Sequence, residues 1–100
     1  MLDIRKEKNG SELIVYLKGE LDTGTAPNLM KELEGEYAGV TKLVFESSEL
    51  TYISSAGLRA ILTAMQSLDD EDAPGVMRNV SDGVRDILRA TGFDKVLVFE

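Results

Sequence analysis

Tyr52-Ile53-Ser54-Ser55-Ala56-Gly57-Leu58-Arg59-Ala60-Ile61-Leu62-Thr63-Ala64-Met65-Gln66-Ser67-Leu68 carries the clearest periodicity in the chain. Leu58, Ile61, Leu62, Met65 and Leu68 stand at i, i+3, i+4, i+7 and i+10, the continuous apolar stripe of an amphipathic helix. Leu58, Ile61, Leu62 and Met65 are therefore expected in the core, with Tyr52 and Ile53 as core or half-buried anchors ahead of the helix. Two serines, Ser54 and Ser55, fall where the helix begins. The stripe stops in Asp69-Asp70-Glu71-Asp72, a run badly placed for the negative end of a helix dipole and better read as a solvated loop.

Upstream, residues 42–46 (Lys-Leu-Val-Phe-Glu) form a short β-prone run, and the polar residues 47–51 read as a loop leading to the serines. Before them, Leu2 and Ile4 alternate with charges, Asn9-Gly10 follows, and then Leu13-Ile14-Val15-Tyr16-Leu17. Asn-Gly between two strand-like runs predicts an antiparallel hairpin with a type I′ turn. Thr25 caps a first helix with Pro27 in its opening turn; Ala26, Leu29, Met30, Leu33 and Tyr37 share one face, and Gly39 ends it. Downstream, Val76, Met77 and Val80 suggest a fourth strand, and Ser81 caps a third helix bearing Val84, Ile87 and Leu88 with Gly92 beyond its end. Residues 95–99 read as the last strand. The order β-β-α-β-α-β-α-β predicts a single α/β domain over residues 1–100, a small mixed β-sheet with an N-terminal antiparallel hairpin and α-helices packed against it.

The 100 residues, 43% apolar and 29% charged, suit one modest globular core. No apolar run approaches the roughly 20 residues of a membrane span, so direct membrane insertion and secretion are not expected. With no Cys and no His, disulfides, thiolate nucleophiles, the commonest metal ligand and the usual neutral-pH base are all missing. A net charge of −7 repels a phosphate backbone, so nucleic acid is not an expected partner.

In open α/β sheets, sites gather where strand ends lead into helix N-termini, and residues 46–57 form such a junction. Ser54 and Ser55 there meet orphan backbone N–H groups and a positive dipole end, which favour an oxygen acceptor and a phosphate more so. A plain N-cap accounts for one serine equally well, at about 0.5–2 kcal/mol. It accounts neither for the second serine nor for Gly57, which costs about 0.8–1 kcal/mol relative to Ala within a helix and suggests close approach of a partner backbone. A serine nucleophile lacks support: there is no His, no Gly-x-Ser-x-Gly and no Ser-x-x-Lys at these serines. Asp22, Glu46 and Glu49 leave carboxylate chemistry open, although capping and surface roles are commoner for such residues. A nucleotide sensor would want a Gly-rich phosphate loop, and none is found. The chain is not expected to be an enzyme.

Gly19-Glu20-Leu21-Asp22 followed by Thr25-Ala26 and Leu29, together with Tyr52-Ile53-Ser54-Ser55-Ala56-Gly57-Leu58-Arg59, resembles the motifs of STAS-domain anti-sigma factor antagonists. Asn79-Val80-Ser81 and Thr91-Gly92-Phe93-Asp94 are weaker echoes, so the resemblance runs nearly the whole chain in order. The family's switch serine precedes a small residue and a Gly-Leu pair, which places it on Ser55, with Ser54 as the lesser candidate. Many members have Asp where this chain has Ser54, and often Asp at Glu46 and an apolar residue at Ser47.

The resemblance implies a cytoplasmic, bacterial, phosphorylation-switched protein that regulates transcription without being a catalyst. Unphosphorylated, such a domain binds an anti-sigma factor that is also a serine kinase; phosphorylation inactivates it, and a PP2C-type phosphatase restores it. ATP and metal belong to those partners, so the chain is expected to hold no cofactor or metal of its own. Asp22, Ser54, Gly57 and Arg59 are the expected partner-facing residues, with capping an equal reading for Asp22. The alternative is a non-switching STAS subunit of a transporter or a signalling scaffold.

Overall fold

Across the first turn Asn9 faces Glu12, the last pair between β1 (Leu2–Asn9) and the antiparallel β2 (Glu12–Leu21). The turn residues are therefore Gly10 and Ser11, one position later than the Asn-Gly reading places them. Gly10 has φ +60° and Ser11 is not among the positive-φ residues, which makes the turn II′-like rather than I′ and explains the glycine at its first central position. The computed structural model describes residues 1–68 and 75–100. The expected solvated loop at residues 69–72 lies outside the described residues.

The chain continues through α1 (Ala26–Leu33), β3 (Lys42–Ile53), α2 (Ser55–Gln66), β4 (Gly75–Arg78), α3 (Asp82–Ala90), one 3-10 turn (Phe93–Lys95) and β5 (Val98–Phe99). The strands stand in chain order, β1 antiparallel to β2 and every later pair parallel, which is the expected mixed sheet. Right-handed crossovers between sequential neighbours put all three helices on one face. The main core joins Leu13, Val15, Leu17, Leu43, Phe45 and Met77 of the sheet to Leu29, Leu33, Leu58, Ile61, Val84 and Leu88 of the helices. On the other face Ile14, Val44 and Val76 form a separate cluster. No helix among the described residues covers it, yet Val44 and Val76 are 0% and 1% exposed. Lys42 reaches Glu100 at 3.1 Å and Glu12 at 3.6 Å, and Arg78 reaches Glu100 at 3.0 Å. Tyr16 packs against the cluster, and these charged side chains share the valines' face by strand alternation.

Four elements differ from the sequence reading. β3 does not stop at Glu46 but runs to Ile53, so residues 47–53 are strand, not loop. Register shifts between Tyr16 and Lys18 and between Gly19 and Glu20 break the alternation that marks a strand. Ser47 is fully buried, its hydroxyl donating to the Phe45 carbonyl at 3.0 Å, so a polar residue here is no sign of solvent. α1 ends at Leu33, with Gly35 at φ +81° just past the end, where the reading took Gly39. The final strand is cut to Val98–Phe99 because Gly92, at φ +80°, leads into the 3-10 turn.

The fourth difference is the rotation of α2. Its buried face comprises Gly57, Leu58, Ala60, Ile61 and Ala64; Leu62 and Met65 are half-buried, Met65 against the core cluster and Leu62 outside it. Small alanines let α2 turn toward α1, which carries Leu62 to the flank. Ile61→Ala should cost about 2–5 kcal/mol, whereas Leu62→Ala should cost well under half as much, as read from urea unfolding of the two variants. Equal losses would contradict this rotation.

Candidate functional site

Parallel pairing brings the end of β2 beside the end of β3, so Leu21 lies opposite Ile53. From there the Leu21 carbonyl accepts the Ser54 N–H at 2.9 Å, which fixes where the strand stops and the helix starts. Ser54 is the N-cap of α2: its backbone is extended (φ −98°, ψ 174°) and its hydroxyl accepts the Gly57 N–H at 3.2 Å. Ser55 is the first helical residue and exposed, and its side chain makes no hydrogen bond among the described residues. The structure thus separates the two adjacent serines by geometry, one capping the helix and the other displayed to solvent.

Gly57 is buried. A Cβ there would stand 2.6 Å from the Leu21 carbonyl oxygen and 2.8 Å from Leu21 Cγ. The close approach expected of a partner backbone is made by the chain's own Leu21, which gives Gly57 a packing role. Ile53 is 1% exposed, as expected of an anchor, but Tyr52 is 44% exposed and stands out at the surface beside the serines.

Asp22 closes the turn between β2 and α1. Its Oδ1 accepts the Gly24 N–H at 2.9 Å and the Thr25 N–H at 3.0 Å. The Thr25 hydroxyl accepts the Asp22 N–H at 2.9 Å and donates to the Glu20 carbonyl at 2.8 Å, so Thr25 ties the turn without a side-chain cap bond into α1. Hydrogen bonding from the Thr25 amide, with help from the Thr25 hydroxyl and Gly24, holds the Asp22 carboxyl below the ordinary aspartate range. Asp22 therefore acts as the turn's acceptor, the capping-type role. Among the described residues no group of three or more acidic side chains is arranged to hold a metal.

Between α1 and α2 runs a shallow groove of about 300 Å³ lined by Thr23, Ala26, Pro27, Met30, Ala56, Arg59, Ala60 and Thr63. Ser55 directly precedes Ala56 at its end. Arg59, exposed on α2, is the only charged residue of the lining. The sequence reading found Arg59 but not the α1 side of the groove. Spacing places Met30 on one face with Ala26, Leu29, Leu33 and Tyr37, and such spacing does not reveal which edge of the stripe stays open.

The chain belongs to the STAS domain family, whose model matches residues 3–100. It is 27% identical over 94 residues to the anti-sigma-B factor antagonist of Listeria monocytogenes, covering 92% of this chain and 82% of that one. An anti-sigma factor antagonist from Mycobacterium paratuberculosis has the same fold, with TM-score 0.85, 22% identity, and coverage of 99% and 85% of the two chains. The Bacillus cell fate determinant SpoIIAA, solved in a phosphorylated form, superposes with TM-score 0.73 at 18% identity, covering 98% of this chain and 91% of that one. No helix among the described residues is long and apolar enough to cross a membrane.

The Asp22 contacts generate a pH dependence. A carboxyl whose folded pKa is depressed stabilises the fold fully above its unfolded value, about 3.9, and that contribution is lost as pH falls through the folded value. Asp22→Asn should lower the urea midpoint at pH 7, and the gap from the parent should close below pH 3.9. A gap that persists undiminished at pH 2 would show that the carboxylate charge is not what the turn uses.

Proposed function

We propose that this chain is an anti-sigma factor antagonist switched by phosphorylation of Ser55. Unphosphorylated, it sequesters an anti-sigma factor that is also a serine kinase and so frees the sigma factor in the cytoplasm. Phosphorylated, it lets that partner go, and a PP2C-type phosphatase restores it. The observation that carries this reading is the exposed Ser55 hydroxyl, without a partner among the described residues, at the end of an open groove while Ser54 is committed to the cap. The motif around Ser55, the family membership and the named activity of the Listeria relative support it.

Magnitudes favour a switch that acts on binding and spares the fold. Phosphorylation adds about −1.5 to −2 charge at pH 7. At the first residue of α2 that charge meets the positive end of the helix dipole, a favourable effect of about 0.3–1 kcal/mol on folding. At a partner surface the same group brings bulk and like-charge contacts that cost several kcal/mol. Each 1.4 kcal/mol is tenfold in affinity, so binding falls by orders of magnitude while the domain stays folded.

Ser55→Asp and Ser55→Glu should melt within a few degrees of the parent and bind the anti-sigma kinase at least tenfold more weakly. Ser55→Ala should bind like the parent and resist release by ATP. Titration calorimetry against the purified kinase checks both. Parent-like affinity of Ser55→Glu, together with ATP-driven release of Ser55→Ala, would sink the reading.

A further inference from the structure

Most basic side chains here are engaged. Lys6, Lys18, Lys42, Arg78 and Arg89 sit in ion pairs, and Arg5 and Arg85 lie over the rings of Tyr16 and Phe99. Arg59, by contrast, is exposed and has no ion pair or ring partner among the described residues. It follows Ser55 by four positions on α2. Residues so spaced have Cβ atoms about 5–6 Å apart, and helical side chains tilt toward the N-terminus, so the position of Ser55 is within reach of the guanidinium. At about 100° per residue, Arg59 falls between Ser55 and the groove-lining Thr63 and Ala56 around the helix. The first turn of α2 has no acidic residue, and none lines the groove. Asp22, on the neighbouring turn, has its Oδ1 bonded to the amides of Gly24 and Thr25.

We propose that Arg59 has two positions, and that phosphorylation of Ser55 moves it from one to the other. In the unmodified chain it is the groove's one cation and meets a carboxylate of the protein partner. Once Ser55 carries phosphate, the guanidinium turns back one helical turn and pairs with the phosphoryl oxygens. The modification then acts twice on the same partner surface, adding an anion at the groove's end and withdrawing the cation from its lining. This deepens the Ser55 reading and rests on it for its biological setting, but the pairing itself depends only on the two side chains.

The test places phosphoserine at position 55 during translation, by codon reassignment, so that no kinase is needed. Phosphorus NMR then follows the second ionisation of the phosphate, which lies near pH 6 in the absence of neighbours. The helix N-terminus is common to all variants and cancels in the comparison. At low salt the midpoint in the parent should lie at least about 0.2 pH units below that of Arg59→Gln, the shift expected of an exposed pair at this spacing. Arg59→Lys should keep part of the shift, and 1 M salt should erase most of it. Arg59 is exposed, so all three forms should melt alike. Equal midpoints in parent and Arg59→Gln would overturn the pairing. The partner half is read separately: phosphoserine should reduce kinase affinity by fewer-fold in Arg59→Gln than in the parent, and equal fold-losses would contradict it. A kinase that ignores Ser55 would defeat the switch reading and leave the NMR result untouched.

Discussion

One carbonyl organises the functional end of this domain. The Leu21 oxygen closes β2 by accepting the Ser54 amide, and Gly57 packs against the same oxygen where no side chain would fit. Strand end, helix start and cap are thereby fixed relative to one another. Ser54 must be extended to donate to Leu21, and in that conformation its hydroxyl reaches Gly57. Ser55 then has nowhere to point but outward. The exposed hydroxyl follows from close backbone contacts at Ser54 before it and Gly57 beyond it, and a side chain at position 57 would disturb all of these at once.

The same seam explains how the surface is able to change while the fold stays. The main core lies between the sheet and the three helices, and the opposite face carries the Ile14, Val44 and Val76 cluster with Tyr16 and the ion pairs of Lys42, Arg78, Glu12 and Glu100. Neither layer includes Ser55 or Arg59. A charge placed at Ser55 meets the end of α2 and water within the chain, and meets a partner only across the groove. Membership of the STAS family accords with this division between a packed scaffold and a displayed helix end.

The element order, the hairpin, the parallel sheet and the α2 start were legible because each rests on local chemistry: glycine at a turn, serine before an apolar stripe, and β-branched runs between them. What was not legible depends on distant neighbours. The length of β3 was hidden by its bulges against β2 and by Ser47, whose hydroxyl is satisfied by its own strand. Gly35 and Gly39 both take positive φ, so composition alone does not say which one ends α1. Leu62 fits the stripe by spacing, but α2 turns toward α1 on Ala60 and Ala64 and leaves it at the flank. At the site, Ser54 and Ser55 are equivalent as letters and distinct as geometry. Gly57 was singled out for a close approach, and the approach in the structure is internal, to Leu21; the α1 wall of the groove had no signal of its own.

The most direct test of the account is to find which serine takes phosphate. The purified chain and its Ser55→Ala variant would be incubated with ATP and lysate of the source cells, and the modified residue mapped by mass spectrometry. The account predicts phosphate on Ser55 and none on the variant. Phosphate on Ser54 in either protein, or no phosphate where other lysate proteins are labelled, would contradict it.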